Sequence, residues 1–338
     1  MRRPAAVLAV DGGNSKTDLL LLDHTGALLA ARRTGPTSHQ KVGLRRAVRT
    51  LKRAVTGLAR DAGLPPVWPI APVGVYCLAG LDLAIDDQQV GEALSRAAFT
   101  ARRVLRNDTF AVLRAGTDAG WGVALVCGAG MNCVAAAPDG RSIRFPALGA
   151  ISGDGPDGGQ WLGLQALRAA VRATDGRGQA SALAATVPRH FGLEDPAALT
   201  EALYTRRLPR RRLVELAPVV FAAALGGDTV ATRLLEELAD ELVVFGRAAL
   251  VRLELQAQAV PIVLGGGLFR SGDDRFLDRV RMGLQQVAPS ADIRFLTTPP
   301  VMGAALLGFD VLQASPAVLA TVRALVPDLP DVDEGGNR

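Results

Sequence analysis

The sequence predicts an α/β protein of two lobes, each opening on three strands and continuing in alternating helices and strands, the second lobe a duplicate of the first. Three observations carry this expectation. Two apolar runs in LAVDGGNSKTDLLLLDHTG (8–26) meet across a glycine-rich polar tip, the pattern of a strand hairpin. The same plan returns in GVALVCGAGMNCVAAAPDGRSI (122–143), where Val126-Cys127-Gly128-Ala129 aligns with Val10-Asp11-Gly12-Gly13 and the turns DHTG and PDG fall in near register. Finally, 338 residues at 49% hydrophobic content can bury two cores.

The elements follow in order. Strands are expected at 5–10, 17–23 and 28–34, all rich in Val, Leu and Ala, as a three-strand meander. An amphipathic helix from Gly43 to Ala62 comes next, then a strand at 73–78, a helix at 86–100, a strand at 103–107 and a short helix after Asp108. From Gly120 the plan restarts with strand, tip, strand, turn and strand. The stretch 159–256 is helical in pattern. VPIVLGGGLF (260–269) then supplies a strand ending in three glycines, followed by a helix at 273–288, a strand at 293–296 and a helix at 301–314. These elements place an N-terminal lobe at 1–118 and a C-terminal lobe at 119–326, with a hinge near Gly116–Gly122 and the last helix free to pack back on the first lobe. The Pro-rich acidic tail, 327–338, is expected to be disordered.

Composition excludes several classes. The net charge is +5, but Lys occurs only at 16, 41 and 52, so the other 35 of the 38 basic residues are Arg, a bias of composition rather than of a surface. The densest basic run, TRRLPRRRL (205–213), lacks interleaved aromatics, and no nucleic-acid partner is expected. Cys77, Cys127 and Cys133 form no CxxC pair and have no matching histidines, which predicts buried thiols in a reducing compartment rather than zinc or disulfides. No signal peptide and no membrane-spanning run is apparent, so a cytoplasmic protein is expected.

Glycine-rich tips on two hairpins suit one task. Without Cβ atoms the backbone N–H groups can face an anion and cradle phosphate oxygens. An aspartate at the first tip would repel phosphate unless a cation intervened, so Asp11 predicts a Mg²⁺ ion held directly or through water. No Walker A sequence and no GxGxxG between strand and helix is present. Asp108 follows a short strand, at a carboxyl strand end where ligands of such sheets gather; it can cap the following helix or accept a proton from a reacting hydroxyl.

VDGGNSKTDLLLLD, VCGAGMNCVAAAPDG and PIVLGGGLF, in this order, resemble the first phosphate, second phosphate and adenosine motifs of the actin-like ATPase and sugar kinase superfamily. Within it the chain resembles the BadF/BadG/BcrA/BcrD ATPase family, the group that contains N-acetylglucosamine kinase. PTSHQKVG, RNDTFAVLRAGT and ISGDGPDGGQWLGLQAL are similar to the sugar-side segments of that kinase. The resemblance implies a two-lobed actin-like, ribonuclease H-like fold with duplicated βββαβαβα lobes around a central nucleotide cleft. It also implies ATP-dependent phosphorylation of an amino-sugar 6-hydroxyl, N-acetylglucosamine foremost and glucosamine or N-acetylmuramate as alternatives, by a homodimer. Nucleotide binding is implied for Gly12, Gly13, Asn14, Ser15, Lys16, Thr17, Gly128, Ala129, Gly130, Gly265, Gly266 and Gly267. The acceptor is implied to meet Ser38, His39, Gly80, Asn107, Asp108, Asn132 and Asp154, with Asp108 as the base.

Departures from the family pattern are confined to a few positions. Ser38 stands where the kinase carries asparagine, and Ala129 and Met131 stand where it carries threonine and serine. Three other classes share the fold. An activator ATPase with an iron–sulfur cluster needs exposed cysteines, whereas all three here fall in predicted strands. A sugar-responsive repressor needs a DNA-binding segment that does not precede the first strand here. A non-catalytic actin-type protein has no use for Asp108 or the sugar-side loops.

Overall fold

The structure is a computed structural model and describes residues 3–329; the tail expected from 327 therefore lies, from residue 330 on, outside the described residues. The chain divides into two compact units, one drawn from Met1–Gly122 and Leu296–Arg338, the other from Val123–Phe295.

The first unit is built on strands β1 (Ala5–Gly12), β2 (Thr17–Asp23) and β3 (Leu28–Thr34), helices α1 (His39–Val42) and α2 (Leu44–Asp61), strand β4 (Ala71–Leu78), helix α3 (Ala84–Ala97), strand β5 (Thr100–Asn107) and helix α4 (Thr109–Gly116). Its sheet has the order β3-β2-β1-β4-β5. The hairpin pairs are antiparallel, while β4 lies parallel to β1 and β5 parallel to β4. Both faces are covered, which is why β1 and β2 read as nearly unbroken apolar runs. Leu8, Val10, Leu19 and Leu21 pack with Leu51, Val55 and Leu58 of α2 and Val90 and Leu94 of α3. On the other side Val7, Ala9, Leu20 and Leu22 form one cluster with Ala111 of α4 and with residues far along the chain, Val301, Ala304, Ala305 and Phe309.

The second unit repeats the plan. It comprises β6 (Gly122–Cys127), β7 (Met131–Ala136), β8 (Ser142–Arg144), helices α5 (Gly159–Thr174), α6 (Leu183–His190), α7 (Pro196–Tyr204), α8 (Ala217–Leu225) and α9 (Thr229–Arg252), strand β9 (Pro261–Gly265), helix α10 (Asp274–Val287) and strand β10 (Asp292–Phe295). Its sheet order, β8-β7-β6-β9-β10, is that of the first sheet element for element, with β9 parallel to β6 and β10 parallel to β9. Two five-stranded sheets of one topology are the actin-like, ribonuclease H-like duplication that the sequence predicts.

The chain then returns to the first unit as α11 (Pro300–Val311) and α12 (Pro316–Arg323). The second unit thus ends at Phe295, whereas the sequence expectation carried it to 326. The reason lies in α11, an almost wholly apolar helix whose buried residues fill the open face of the first sheet. Gly303 lets it approach α4 so closely that a Cβ there would collide with the Ala111 carbonyl. An ion pair between the buried Arg114 of α4 and the exposed Asp310 fixes the contact: Arg114 donates through Nε and Nη2 to Asp310 at 2.7 and 2.8 Å, and through Nη1 to the Thr117 carbonyl at 3.0 Å. Such a bidentate pair holds orientation as well as charge.

Candidate active site

In the first unit the glycine tip is a four-residue connection, since Gly12 pairs with Thr17 and the Gly13 N–H donates to the Lys16 carbonyl at 2.8 Å. That amide is committed within the turn. Asn14, Ser15 and Lys16 form the exposed end. Gly12 has no room for a side chain, because a Cβ would strike Thr37 Oγ1 and Leu78. Thr37 also meets Thr17, hydroxyl to hydroxyl at 2.8 Å, and so ties the segment 36–40 to the tip. Beside it, Asp18 receives Arg33 through Nε and Nη2 at 2.6 and 3.0 Å, and Lys16 Nζ sits 3.5 Å away.

Asp11 is the last carboxylate of β1 and Asp108 the first residue beyond β5. Their proximity is electrostatic: the Cys77 thiol, paired in register with Asp11, is pushed up first by burial and then by the charges of Asp11 and Asp108. Burial raises Asp11 well above the usual carboxylate range, with Asp108 and Asp18 adding to it and Lys16 and Arg33 opposing. Asp108 is pushed up to about 7, chiefly by burial and next by Asp82, while Thr109 pulls the other way. A carboxyl held there is ionised in part at neutral pH and takes a proton readily.

Asp108 occupies the N-cap position of α4 yet makes no side-chain cap bond. Asn107, fully buried, does that work, its Oδ1 accepting from Thr109 N at 3.0 Å. Its Nδ2 donates to Asp82 Oδ1 at 2.9 Å, and Gln40 Nε2 donates to Asp82 Oδ2 at 3.1 Å and to the Gly80 carbonyl at 3.2 Å. Gly80 adopts φ +86°, which glycine alone takes without strain. His39 begins the one-turn helix α1, with Nε2 2.9 Å from Asp86 Oδ1. The other Asp86 oxygen accepts from the Leu83 N–H at 2.8 Å, at the start of α3. Ser38 is fully buried, and its Oγ is the one buried side-chain polar atom without a partner among the described residues.

The second unit gathers its own cluster. A Cβ at Gly266, where φ is +105°, would overlap the backbone of Cys127, so the glycine run after β9 lies directly on the tip between β6 and β7. The start of α5 docks on the same tip, with Gly159 N donating to the Gly128 carbonyl at 2.8 Å and Gln160 N to that of Ala129 at 2.9 Å. Gly128 N is bound to the Gly130 carbonyl at 2.8 Å, leaving Ala129 and Gly130 as the exposed tip. Met131, in contrast, is buried. Asn132 Oδ1 accepts from Cys133 N at 2.7 Å. Asp154 turns inward on its own loop, where Oδ2 accepts from Ser152 Oγ at 2.6 Å and from Gly149 N at 2.9 Å.

The structure therefore collects residues 11–17, 37–40, 80, 107 and 108 in one unit and 128–132, 154 and 265–267 in the other. Thr37, Gln40, Asp82 and Asp86 were missed by sequence reasoning; only the PTSHQ run, read as a sugar-side segment, marked their neighbourhood. Among the described residues no three His, Cys, Asp or Glu side chains converge as a metal cage. A magnesium ion does not require one, since it keeps several waters and takes one or two carboxylates. Asp11 offers a hard oxygen donor close to the charge of Asp108, only partly offset by Lys16 and Arg33, and this donor fits the ion.

The model of the BadF/BadG/BcrA/BcrD ATPase family matches residues 8–308. The chain belongs to this family. Among relatives in the wider comparison, it is 24% identical to an N-acetylmuramic acid/N-acetylglucosamine kinase of Clostridium acetobutylicum, covering 89% of this chain and 97% of that protein. It is 26% identical to an N-acetyl-D-glucosamine kinase of Dictyostelium discoideum, over 90% of this chain and 97% of that one. A solved structure from Chromobacterium violaceum, a candidate N-acetylglucosamine kinase, superposes with a TM-score of 0.71 at 26% identity, covering 90% of this chain and 99% of that one. A ROK family glucokinase from Streptomyces griseus, solved with glucose and AMPPNP, shares the fold at a TM-score of 0.55 and 15% identity over 90% and 98% of the two chains. Family membership places ATP use on this chain. Among the described residues no single helix is long and apolar enough to cross a membrane.

Proposed function

We propose that this member of the BadF/BadG/BcrA/BcrD ATPase family is a cytoplasmic kinase that transfers the γ-phosphoryl group of ATP to the 6-hydroxyl of an amino sugar, N-acetylglucosamine foremost. The observation that carries the reading is Asp108. It is a carboxylate at a strand end, relieved of helix capping by Asn107 and held near neutral in its proton affinity. Phosphoryl transfer asks little covalent chemistry of the protein beyond an aligned hydroxyl, a proton acceptor and compensation of charge.

In this reading Asp108 takes the proton of the acceptor hydroxyl as the oxygen bonds to the γ-phosphorus and the bond to the β-bridging oxygen breaks, its electrons leaving on ADP. Gly12–Thr17, Gly128–Gly130 and Gly265–Gly267 hold the nucleotide. Lys16, half-exposed beside Asp18, is within the same turn and offers positive charge to phosphate. Asp11 would hold Mg²⁺, which when bound neutralises phosphate charge. Ser38 and His39 bind the acceptor, and the unpartnered Ser38 hydroxyl supports this, because a buried polar group without a partner is costly unless a ligand satisfies it. Asp154 has one oxygen engaged in its loop and offers the other. All three cysteines are buried free thiols, which favours a kinase over an activator that must hold an exposed cluster.

Acceptor choice tests the reading. Of the two lost family hydroxyls, that at Ala129 lies at the exposed tip, whereas Met131 is buried, so residue 129 is the position to test. One neutral hydrogen bond contributes about 0.5–1.5 kcal/mol, a few-fold to about tenfold in affinity. Ala129→Thr is therefore expected to lower the KM for N-acetylglucosamine by that factor, with kcat nearly unchanged, when wild type and variant are assayed against N-acetylglucosamine, glucosamine, N-acetylmuramate and glucose. If N-acetylglucosamine is inert with both proteins while another sugar turns over, that sugar replaces it as the acceptor.

A further inference from the structure

The geometry points to Asp82 as a positioning residue of the reaction: it fixes the amide of Asn107 so that Asn107, not Asp108, caps α4, and the Asp108 carboxylate is kept for the acceptor. The inference rests on the reading of Asp108 as the base.

The orientation follows from donor and acceptor chemistry. An asparagine side chain has one oxygen and one NH₂ end, and a carboxylate can only accept. Asp82 is 8% exposed and presents Oδ1 to one end of Asn107 at 2.9 Å, so that end must be nitrogen. The oxygen is then turned to Thr109 N, the first amide of α4, at 3.0 Å. The first amides of a helix demand an acceptor, and an aspartate at the N-cap is ordinarily a favoured one. Without Asn107 in place, Asp108 is the nearest side chain able to answer that demand. Capping would turn its oxygens toward the helix and away from a reacting hydroxyl.

Asp82 is itself held by two neighbours besides Asn107. Gln40 Nε2 engages Oδ2 at 3.1 Å, and the Asp82 N–H donates to Asp86 Oδ2 at 3.2 Å. Asp86 carries the His39 ring. Gln40 and His39 belong to the segment that contains Ser38, so the support of the base and the loop proposed to hold the acceptor share one hydrogen-bonded frame. A frame of this kind positions reacting groups, where a displacement of about 1 Å can cost about a hundredfold in rate.

The test is a set of variants assayed for kcat and for both KM values, with folding followed by circular dichroism. Asp82→Ala is expected to lower kcat by tenfold or more, leaving the KM for ATP and for acceptor within a few-fold. Asp82→Asn keeps an oxygen for Asn107 Nδ2, and the Gln40 amide can rotate to meet the new NH₂; it is expected to restore most of kcat. The double variant Asp82→Ala/Asn107→Ala should lose no more than the worse single variant, because both remove one bond. Wild-type kcat in Asp82→Ala, a rise in acceptor KM alone, or additive losses would overturn the inference. Should Asp82→Ala fail to fold, Asn107→Ala, which cuts the bond from its other end, is judged by the same criteria. Asp108→Asn in parallel separates the two claims. If it keeps turnover, the base reading fails; if it collapses while Asp82→Ala does not, only the role of Asp82 fails.

Discussion

Asp108→Asn is expected to lower kcat by about 10²- to 10⁴-fold, the usual contribution of a general base, while the KM for ATP stays within a few-fold. The substitution keeps the shape of the side chain, and Asp108 makes no side-chain cap bond, the Thr109 amide at the start of α4 being bound by Asn107 Oδ1. A large kcat effect with a melting temperature no lower than that of the wild type is the signature of a lost proton acceptor. Since burial and Asp82 push Asp108 up to about 7, its ionised fraction falls as pH drops below neutrality. Wild-type kcat/KM should fall with it, on a limb near pH 7 rather than near pH 4. Turnover of the Asn variant at the wild-type level would return Asp108 to a structural role.

Asp11→Asn is the second large effect expected. Removing a hard oxygen donor from the proposed ion should cost several kcal/mol of charge compensation, about a hundredfold or more in kcat. The Mg²⁺ concentration for half-maximal turnover should rise as well. Stability is expected to move the other way. Burial and the neighbouring carboxylates raise Asp11 well above its ordinary value, so the folded state binds that proton more tightly than the unfolded chain does. The contribution is favourable at low pH and is lost as pH rises through the folded-state value. The Asn variant, which cannot ionise, should lose less stability than the wild type as pH rises. A variant with unchanged turnover at limiting Mg²⁺ would contradict the assignment of Asp11 to an ion.

Local signals made much of this legible. The paired apolar runs around Gly12 and Gly128 gave away both hairpins, and the near-register turns gave away the duplication, because each lies within a few residues of chain. Asp108 could be found, but its two roles could not be separated from sequence. The contacts that bear on them are those of Asn107, whose Oδ1 accepts from the first amide of α4 and whose Nδ2 donates to Asp82, 25 residues away. Gln40 reaches Asp82 over 42 residues and His39 reaches Asp86 over 47. Contacts at such separations leave no periodicity, and so the hydrogen-bonded frame beside Asp108 was invisible. The boundary at Phe295 was hidden for the same reason, since α11 is apolar nearly all round and its composition does not say which sheet it covers. By contrast α12, overlooked between 314 and 326, did carry a readable start in Ser315-Pro316, with Ser315 Oγ accepting from Val318 N and proline in the first turn.

The most direct test of sugar phosphorylation is to incubate the protein with ATP, Mg²⁺ and N-acetylglucosamine and to follow the products by ³¹P NMR and mass spectrometry. The expected result is one ADP released for each N-acetylglucosamine 6-phosphate formed, abolished in Asp108→Asn. ATP hydrolysis at the same rate with and without any amino sugar, with no sugar phosphate formed, would contradict it.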